Sequence, residues 1–291
     1  MNTEQIKYVI ITPVRDEERY IRDTIQSVRS QTVKPKQWII VNDGSTDRTA
    51  DVIKEYTYGC RWIRTLHRGN RGYRKSGAGV VEAFYDGYNS LDYEDWEFLV
   101  KLDADLRFDE SYFEHCFNHF LKNPKLGIGG GMVYNLLNKK ERAEKTPIFH
   151  VRGATKIYRR ACWDDIGGLI RAPGWDTVDE LKANMLGWQT TTFSNLRVVQ
   201  LKPTGTAEGK LKDLVKGGRA AYISGYHPAF MALRCLRRIF LSPYIVGAFA
   251  LLYGYCRGYF DGTKRVDDGE LIKFIRRQQV NKILGRNSIW R

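Results

Sequence analysis

The chain has 291 residues, 43% of them hydrophobic and 13% aromatic, enough for one large α/β domain with an appendage or for two small domains. That apolar content excludes wholesale disorder. Lys and Arg total 47 against 33 Asp and Glu, and the resulting +14 calls for an anionic partner without choosing among nucleic acid, anionic lipid and a phosphorylated substrate. The start, MNTEQIKYVIITPV, has neither the basic region nor the long apolar stretch of a secretion signal. It runs straight into a β-branched strand, Tyr8 to Thr12, that stops at Pro13. Glu17 to Ser30 carry Ile21, Ile25 and Val28 at helical spacing. A second strand, Gln37 to Val41, ends in the turn signal Asn42-Asp43-Gly44, after which Ser45 and Thr46 are expected to cap a helix reaching about Tyr56. Trp62 to Leu66 make a third strand. A helix is expected over Gly77 to Leu91, and Phe98 to Leu102 form a fourth strand.

Strands alternating with helices in this way imply right-handed crossovers and a mostly parallel sheet. Ligands of such sheets bind beyond the carboxyl ends of the strands. The polar motifs fall at those ends, at Pro13 to Glu17, at Asn42 and Asp43, and at Asp103 and Asp105. Further strands with one helix are expected from Gly127 to Leu201. After Lys202 and Pro203 the chain turns basic, aromatic and helical, which divides it into an α/β domain over 1–205 and a helical region over 206–291.

Asp103 and Asp105 stand two residues apart just past an apolar strand, and point the same way if the chain there stays extended. Their hard oxygens suit Mg²⁺ or Mn²⁺, which also binds diphosphate oxygens and offsets charge on a leaving nucleoside diphosphate. The alternative is a solvated turn that caps the next helix. From Arg68 to Gly79, four glycines and four basic residues (Arg68, Arg71, Arg74, Lys75) occupy twelve positions. That composition suits a diphosphate, although the stretch does not match the nucleoside-triphosphatase phosphate loop.

The order of IITPVRDEERYIRDTIQSVRSQT, WIIVNDGSTDRTADVI and LVKLDAD resembles the family 2 glycosyltransferases of the GT-A fold, over roughly residues 6 to 200. The resemblance implies an α/β, Rossmann-like sheet flanked by helices, with the helical extension beyond it. It implies an inverting, metal-dependent transfer from a nucleoside-diphosphate sugar to an acceptor hydroxyl of a glycan or lipid-linked acceptor, in polysaccharide or glycolipid synthesis. By the match, Thr12, Pro13, Arg15, Glu17, Asn42 and Asp43 hold the nucleoside, with Asn42 standing where family members usually have Asp. Asp103 and Asp105 hold the metal and donor phosphates.

The family also places a catalytic carboxylate at the start of a helix beyond the metal site. The matching segment is Gly174 to Leu181, where Asp179 is the first choice, with Asp176 and Glu180 behind it. Inversion needs one base to take the acceptor's proton. Thr177 to Glu180 also read as a capping box, and Asp176 as a helix-entry residue. His67 and His150 are weaker candidates for phosphate and acceptor contact, and Trp175 or Trp188 for stacking on a sugar.

Between Arg238 and Arg257 lie 18 uncharged residues, the lower edge of a membrane span, interrupted by Pro243, Gly247 and Gly254 and flanked by basic residues. A helix lying on an anionic membrane surface and a buried core helix both remain open. Five scattered cysteines without zinc or disulfide spacing read as reduced thiols. The expected location is cytoplasmic, at the inner face of a membrane if the basic helix docks there. Three rival functions compete with the transferase. A sugar nucleotidyltransferase normally carries a glycine-rich loop where this chain has Pro13 to Glu17. No nucleic-acid-binding motif appears, so no nucleic acid is expected. A non-catalytic sugar-nucleotide sensor stays open.

Overall fold

The computed structural model describes residues 5–72, 77–137, 140–144, 146–202 and 209–290. In its first half, strands β1 (Tyr8–Val14), β2 (Gln37–Asn42), β3 (Ile63–His67) and β4 (Phe98–Leu102) alternate with helices α1 (Ile21–Arg29), α2 (Thr49–Thr57) and α3 (Ala78–Asn89). These four strands are mutually parallel in the order β3-β2-β1-β4. Every residue of β1 and β4 is buried, as befits strands covered by helices on both faces. Alternation along β1 divides the core. Tyr8 and Ile10 join the cluster under α1, whereas Val9 and Ile11 join the cluster under α3.

The second half runs β5 (Leu106–Phe108), α4 (Tyr112–Lys122), β6 (Leu126–Leu137), β7 (Lys140–Ala143), β8 (Thr155–Arg159), α5 (Arg160–Ile166), α6 (Trp175–Met185) and β9 (Gln189–Gln200). β8 inserts antiparallel between β4 and β6, and β9 and β5 extend the sheet beyond β6. The result is a mixed, mostly parallel sheet flanked by helices, the GT-A-like arrangement expected. One helix was expected between Gly127 and Leu201, and two form. The seven residues of α5 are too few to show a helical period. The expected cap at Ser45 and Thr46 is not one. The helix starts at Thr49, where Asp47 accepts the Thr49 N–H (3.0 Å). Ser45 Oγ instead accepts the Asp16 N–H (3.0 Å), and Asp16 accepts the Thr46 N–H (2.8 Å), which ties the turn after β2 to the turn after β1.

Helices α7 (Lys210–Ile223), α8 (Pro228–Arg238), α9 (Tyr244–Phe260) and α10 (Gly269–Ile283) follow. Tyr222, Met231, Leu251, Leu271 and Ile275 from these helices form a third cluster with Phe149 and with Val178 and Leu181 of α6. The C-terminal helices therefore pack on the helix that carries the candidate base. The expected boundary at 205 falls outside the described residues.

Candidate functional site

The carboxyl ends of β1 and β2 lie side by side, with Val14 opposite Asn42. Thr12 and Pro13 are buried here, and Thr12 Oγ1 accepts from Trp38 Nε1 (2.9 Å), so the Thr12 side chain belongs to the core. Asn42 Oδ1 accepts the Ser45 N–H (3.0 Å), while its amide lies 3.5 Å from His67 Nδ1. Asp43 is the charged centre of this rim. Its carboxylate receives both terminal nitrogens of Arg71 (2.6 and 3.1 Å) and one of Arg68 (2.5 Å). Arg15 donates to the Asp43 carbonyl (3.0 Å) and to Asn70 Oδ1 (3.0 Å), closing the loop after β3 onto the turn after β2. Gly44 makes this closure possible. At φ +67° a Cβ there would lie 2.6 Å from the Asn70 Cα. Arg74 and Lys75 lie outside the described residues.

Beyond β4 the chain bends at residues 104 and 105, so the extended geometry on which a common direction for the two aspartates depended is not kept between them. Asp103 is partly exposed, and its carboxylate accepts from Lys101 Nζ, which also donates to the Gly153 carbonyl. Asp105 is buried and accepts from Gln200 Nε2 (3.1 Å). Burial and then the neighbouring Asp103 charge push its carboxyl up to about 7, with Glu17 adding to the rise and Gln200 and Lys202 opposing it. Glu17 itself is bridged by Lys202 Nζ (2.6 Å). Among the described residues no group of three or more His, Cys, Asp or Glu side chains is arranged to hold a metal ion. Asp103 and Asp105 nonetheless form an acidic pair of hard oxygens whose mutual repulsion a divalent cation would relieve. Two such ligands would leave the remaining positions of a cation to diphosphate and water.

The other half of the site is the start of α6. Asp179 and Glu180 are buried and turned into the fold. Lys156 Nζ lies 2.9 Å from both Asp179 oxygens and 2.7 Å from Glu180 Oε1. Tyr158 donates to Asp179 (2.6 Å), and Glu180 accepts the Val151 N–H (2.7 Å) and pairs with His150 Nδ1 (2.8 Å). Burial, which Lys156 opposes and Glu180 reinforces, pushes the Asp179 carboxyl up to about 6. Asp176 differs. It is partly exposed in the first turn of α6, and its carbonyl rather than its carboxylate accepts from Lys156 (2.5 Å). Burial would raise its carboxyl, but Lys156, His150, Arg152 and Lys101 together hold it below the ordinary value.

Asp176 lines a cavity of about 680 Å³ together with His150, Arg152, Trp175, Arg234 and Trp290. Gly77, at the end of the glycine-rich loop, lines the same cavity. Lys101 joins the two halves of the site, since its Nζ bonds Asp103 and lies 5.2 Å from the Trp175 ring. Neither Lys101 nor Lys156 was singled out from sequence. Lys101 is the one charge in the strand Phe98–Leu102, and Lys156 is a fully buried charge in β8, so each requires a buried ionic partner. Trp188 lies away from this cavity, bonded to Asp165 (2.8 Å).

The model of the Glycosyl transferase family 2 matches residues 9–172. Poly-beta-1,6-N-acetyl-D-glucosamine synthase of Staphylococcus epidermidis is 31% identical over 197 residues, 61% of this chain and 44% of that protein. Glycosyltransferase GlyA of Streptococcus pneumoniae serotype 4 is 25% identical over 156 residues, 52% of this chain and 20% of that protein. The chain thus spans less than half the length of these relatives. Among solved structures, S. aureus TarS 1-349 superposes with a TM-score of 0.55 at 15% identity, covering 96% of this chain and 79% of that one. The mannosyltransferase PcManGT from Pyrobaculum calidifontis, in complex with GDP-Man and Mn2+, gives 0.57 at 14% identity, covering 97% and 81%. At such identities the likeness concerns the fold.

Proposed function

The chain belongs to glycosyl transferase family 2, and on that premise we propose that it moves a sugar from a nucleoside diphosphate to an acceptor hydroxyl with inversion, using Asp176 as the base. The observation that carries this reading is the Lys101 bridge, which sets the Asp103 carboxylate next to Trp175 and hence beside the first turn of α6. A donor diphosphate at the rim and an acceptor in the cavity then meet across a short gap. Asn42, Asp43 and Arg15 frame the nucleoside end, and Arg68 and Arg71 bring positive charge to the diphosphate once their hold on Asp43 is shared.

Asp103 and Asp105 would hold the divalent ion, which supplies Lewis-acid stabilisation of the departing diphosphate. Asp176 accepts the acceptor's proton as the hydroxyl oxygen attacks the anomeric carbon, and the bond to the diphosphate breaks on the opposite face. The field around Asp176 keeps it ionised, the form able to accept a proton. Asp179 and Glu180, with their oxygens engaged by Lys156, Tyr158 and His150, position the helix. The aromatic walls Trp175 and Trp290 suit a sugar face. The names of the relatives support a role in polysaccharide synthesis, and the acceptor of this reading is a glycan or a lipid-linked chain. Neighbours of the same fold carry UDP-GlcNAc or GDP-Man, so a UDP or GDP sugar is the first donor to try.

Calorimetry with UDP, GDP, CDP and dTDP, each with and without Mn²⁺, tests the donor half. One nucleotide should bind tightly, need the metal, and fail with a folded Asp105→Asn variant. Absence of binding for all four by folded wild type would remove the transferase reading.

A further inference from the structure

The segment from Pro228 to Phe260, comprising α8, its connection and α9, contains no Asp or Glu but carries Arg234, Arg237, Arg238 and Arg257. It also exposes apolar surface that the fold leaves uncovered. On α9, Gly247, Ala248, Leu251, Gly254, Tyr255 and Gly258 are buried. The opposite stripe is apolar as well, with Ile245 57% and Phe249 67% exposed, followed by Leu252, Tyr253 and, at 88%, Phe260. Phe240, 80% exposed, and Leu241 project from the connection just before it. A surface helix ordinarily turns a polar face to water, and contiguous apolar patches of this kind mark interaction sites.

We propose that this α8–α9 face docks on an anionic lipid bilayer, with α9 lying in the plane of the surface. Three observations select that occupant. Exposed Arg237 and Arg257 border the apolar stripe, and the carboxylate nearest its end, Asp261, is already shared between Arg257 (3.6 Å) and Arg219 (3.2 Å), so the border stays net positive and complementary to anionic headgroups. Tyr244, Tyr253 and Tyr259 are each partly exposed beside it, and their amphipathic rings suit headgroup depth. Among the described residues no helix is long and apolar enough to cross a membrane, which leaves the in-plane orientation. A second copy of this chain would instead bring like-charged rims together on a protein of net charge +14.

α8 also connects this face to the catalytic groove, because Phe230 and Arg234 line the cavity while Leu233, Leu236 and Arg237 on the same helix face outward. Docking therefore sets the cavity at the bilayer surface, where a membrane-anchored acceptor presents its hydroxyl. This last step rests on the cavity being the acceptor site, whereas the docking itself does not.

Flotation of the full chain with phosphatidylcholine vesicles, with and without phosphatidylglycerol, tests the proposal. Wild type should float with the anionic vesicles and release at high salt. Phe249→Glu should bind about tenfold more weakly or worse, and Arg237→Glu about fivefold more weakly, with thermal midpoints unchanged because both side chains are exposed. The proposal is overturned if folded wild type floats with neither vesicle, or if Phe249→Glu floats as well as wild type. It is equally overturned if sedimentation shows a dimer that Phe249→Glu dissociates, which would make the face a contact between copies. No sugar nucleotide enters the assay, so a chain that floats yet binds no nucleotide would keep the docking surface and lose the transferase.

Discussion

Lys156 Nζ sits 2.9 Å from both carboxylate oxygens of Asp179 and is fully buried with it. Burial works against the lysine's charge, yet Asp179, Glu180 and Asp176 together hold it protonated, with its pKa above the ordinary value. Removing one member of such a group strands the others without solvent. Lys156→Met leaves two buried carboxylates facing an apolar chain and should cost about 3–5 kcal/mol of stability. Asp179→Asn keeps the Lys156–Glu180 contact and should fall at the lower end, about 3 kcal/mol. Urea unfolding measures both. A stable Lys156→Met protein would show that the network does not hold α6 in place.

Asp176 makes the contrasting prediction. Asp176→Asn keeps volume and backbone, so nucleotide binding should stay near wild type while kcat falls by about 10²–10⁴, and the thermal midpoint should drop less than in Asp179→Asn, since Asp176 supports Lys156 and His150 only at longer range. The positive charges around Asp176 hold its carboxyl below the ordinary value, so it is ionised across neutral pH. The acidic limb it sets on the rate should therefore lie below pH about 3.9. A limb nearer neutrality that persists in Asp176→Asn would assign the base to another group.

The sequence brings the rim motifs to one edge of the sheet, but it does not say which of Asp176, Asp179 and Glu180 faces the cavity. Each rim motif follows a short, largely apolar run, and the sheet rule brings the ends of such runs together whatever the details of packing. Asp176, Asp179 and Glu180 share the first turns of one helix, and only the side that packs on β8 separates them. That side is decided by Lys156, the fully buried charge of the strand Thr155–Arg159, whose need for buried partners draws in Asp179 and Glu180 and leaves Asp176 at the cavity. The membrane alternative for residues 239–256 was likewise open, because length and composition do not reveal that one stripe of α9 is buried on α7 and the other exposed.

His150 couples this region to pH. Burial lowers its pKa, but the Glu180 carboxylate at 2.8 Å and Asp176 outweigh burial and Lys156, so the net shift is upward. The folded chain thus holds the proton more tightly than the unfolded one. The stabilisation is fully present below the unfolded value of about 6.5 and is lost as pH rises through the folded value. The thermal midpoint should decline on that alkaline side, and His150→Gln should flatten the decline. An unchanged slope in His150→Gln would place the titrating group elsewhere.

The docking face of α9 depends on how closely its other side approaches α7. A Cβ on Gly254 would lie 2.0 Å from the Val215 carbonyl oxygen, and one on Gly218 would lie 2.0 Å from that of Leu251. Both obstacles are backbone, which cannot rotate aside as a side chain can. Adding one methyl group therefore has to push the two helices apart. Gly254→Ala should cost about 1–3 kcal/mol through this overpacking, despite the higher helix propensity of alanine, which favours it by up to about 1 kcal/mol. A lowered thermal midpoint with a retained helical circular-dichroism signal is the expected result. A midpoint equal to or above that of wild type would mean that propensity wins and that the helices do not meet backbone to backbone at Gly254.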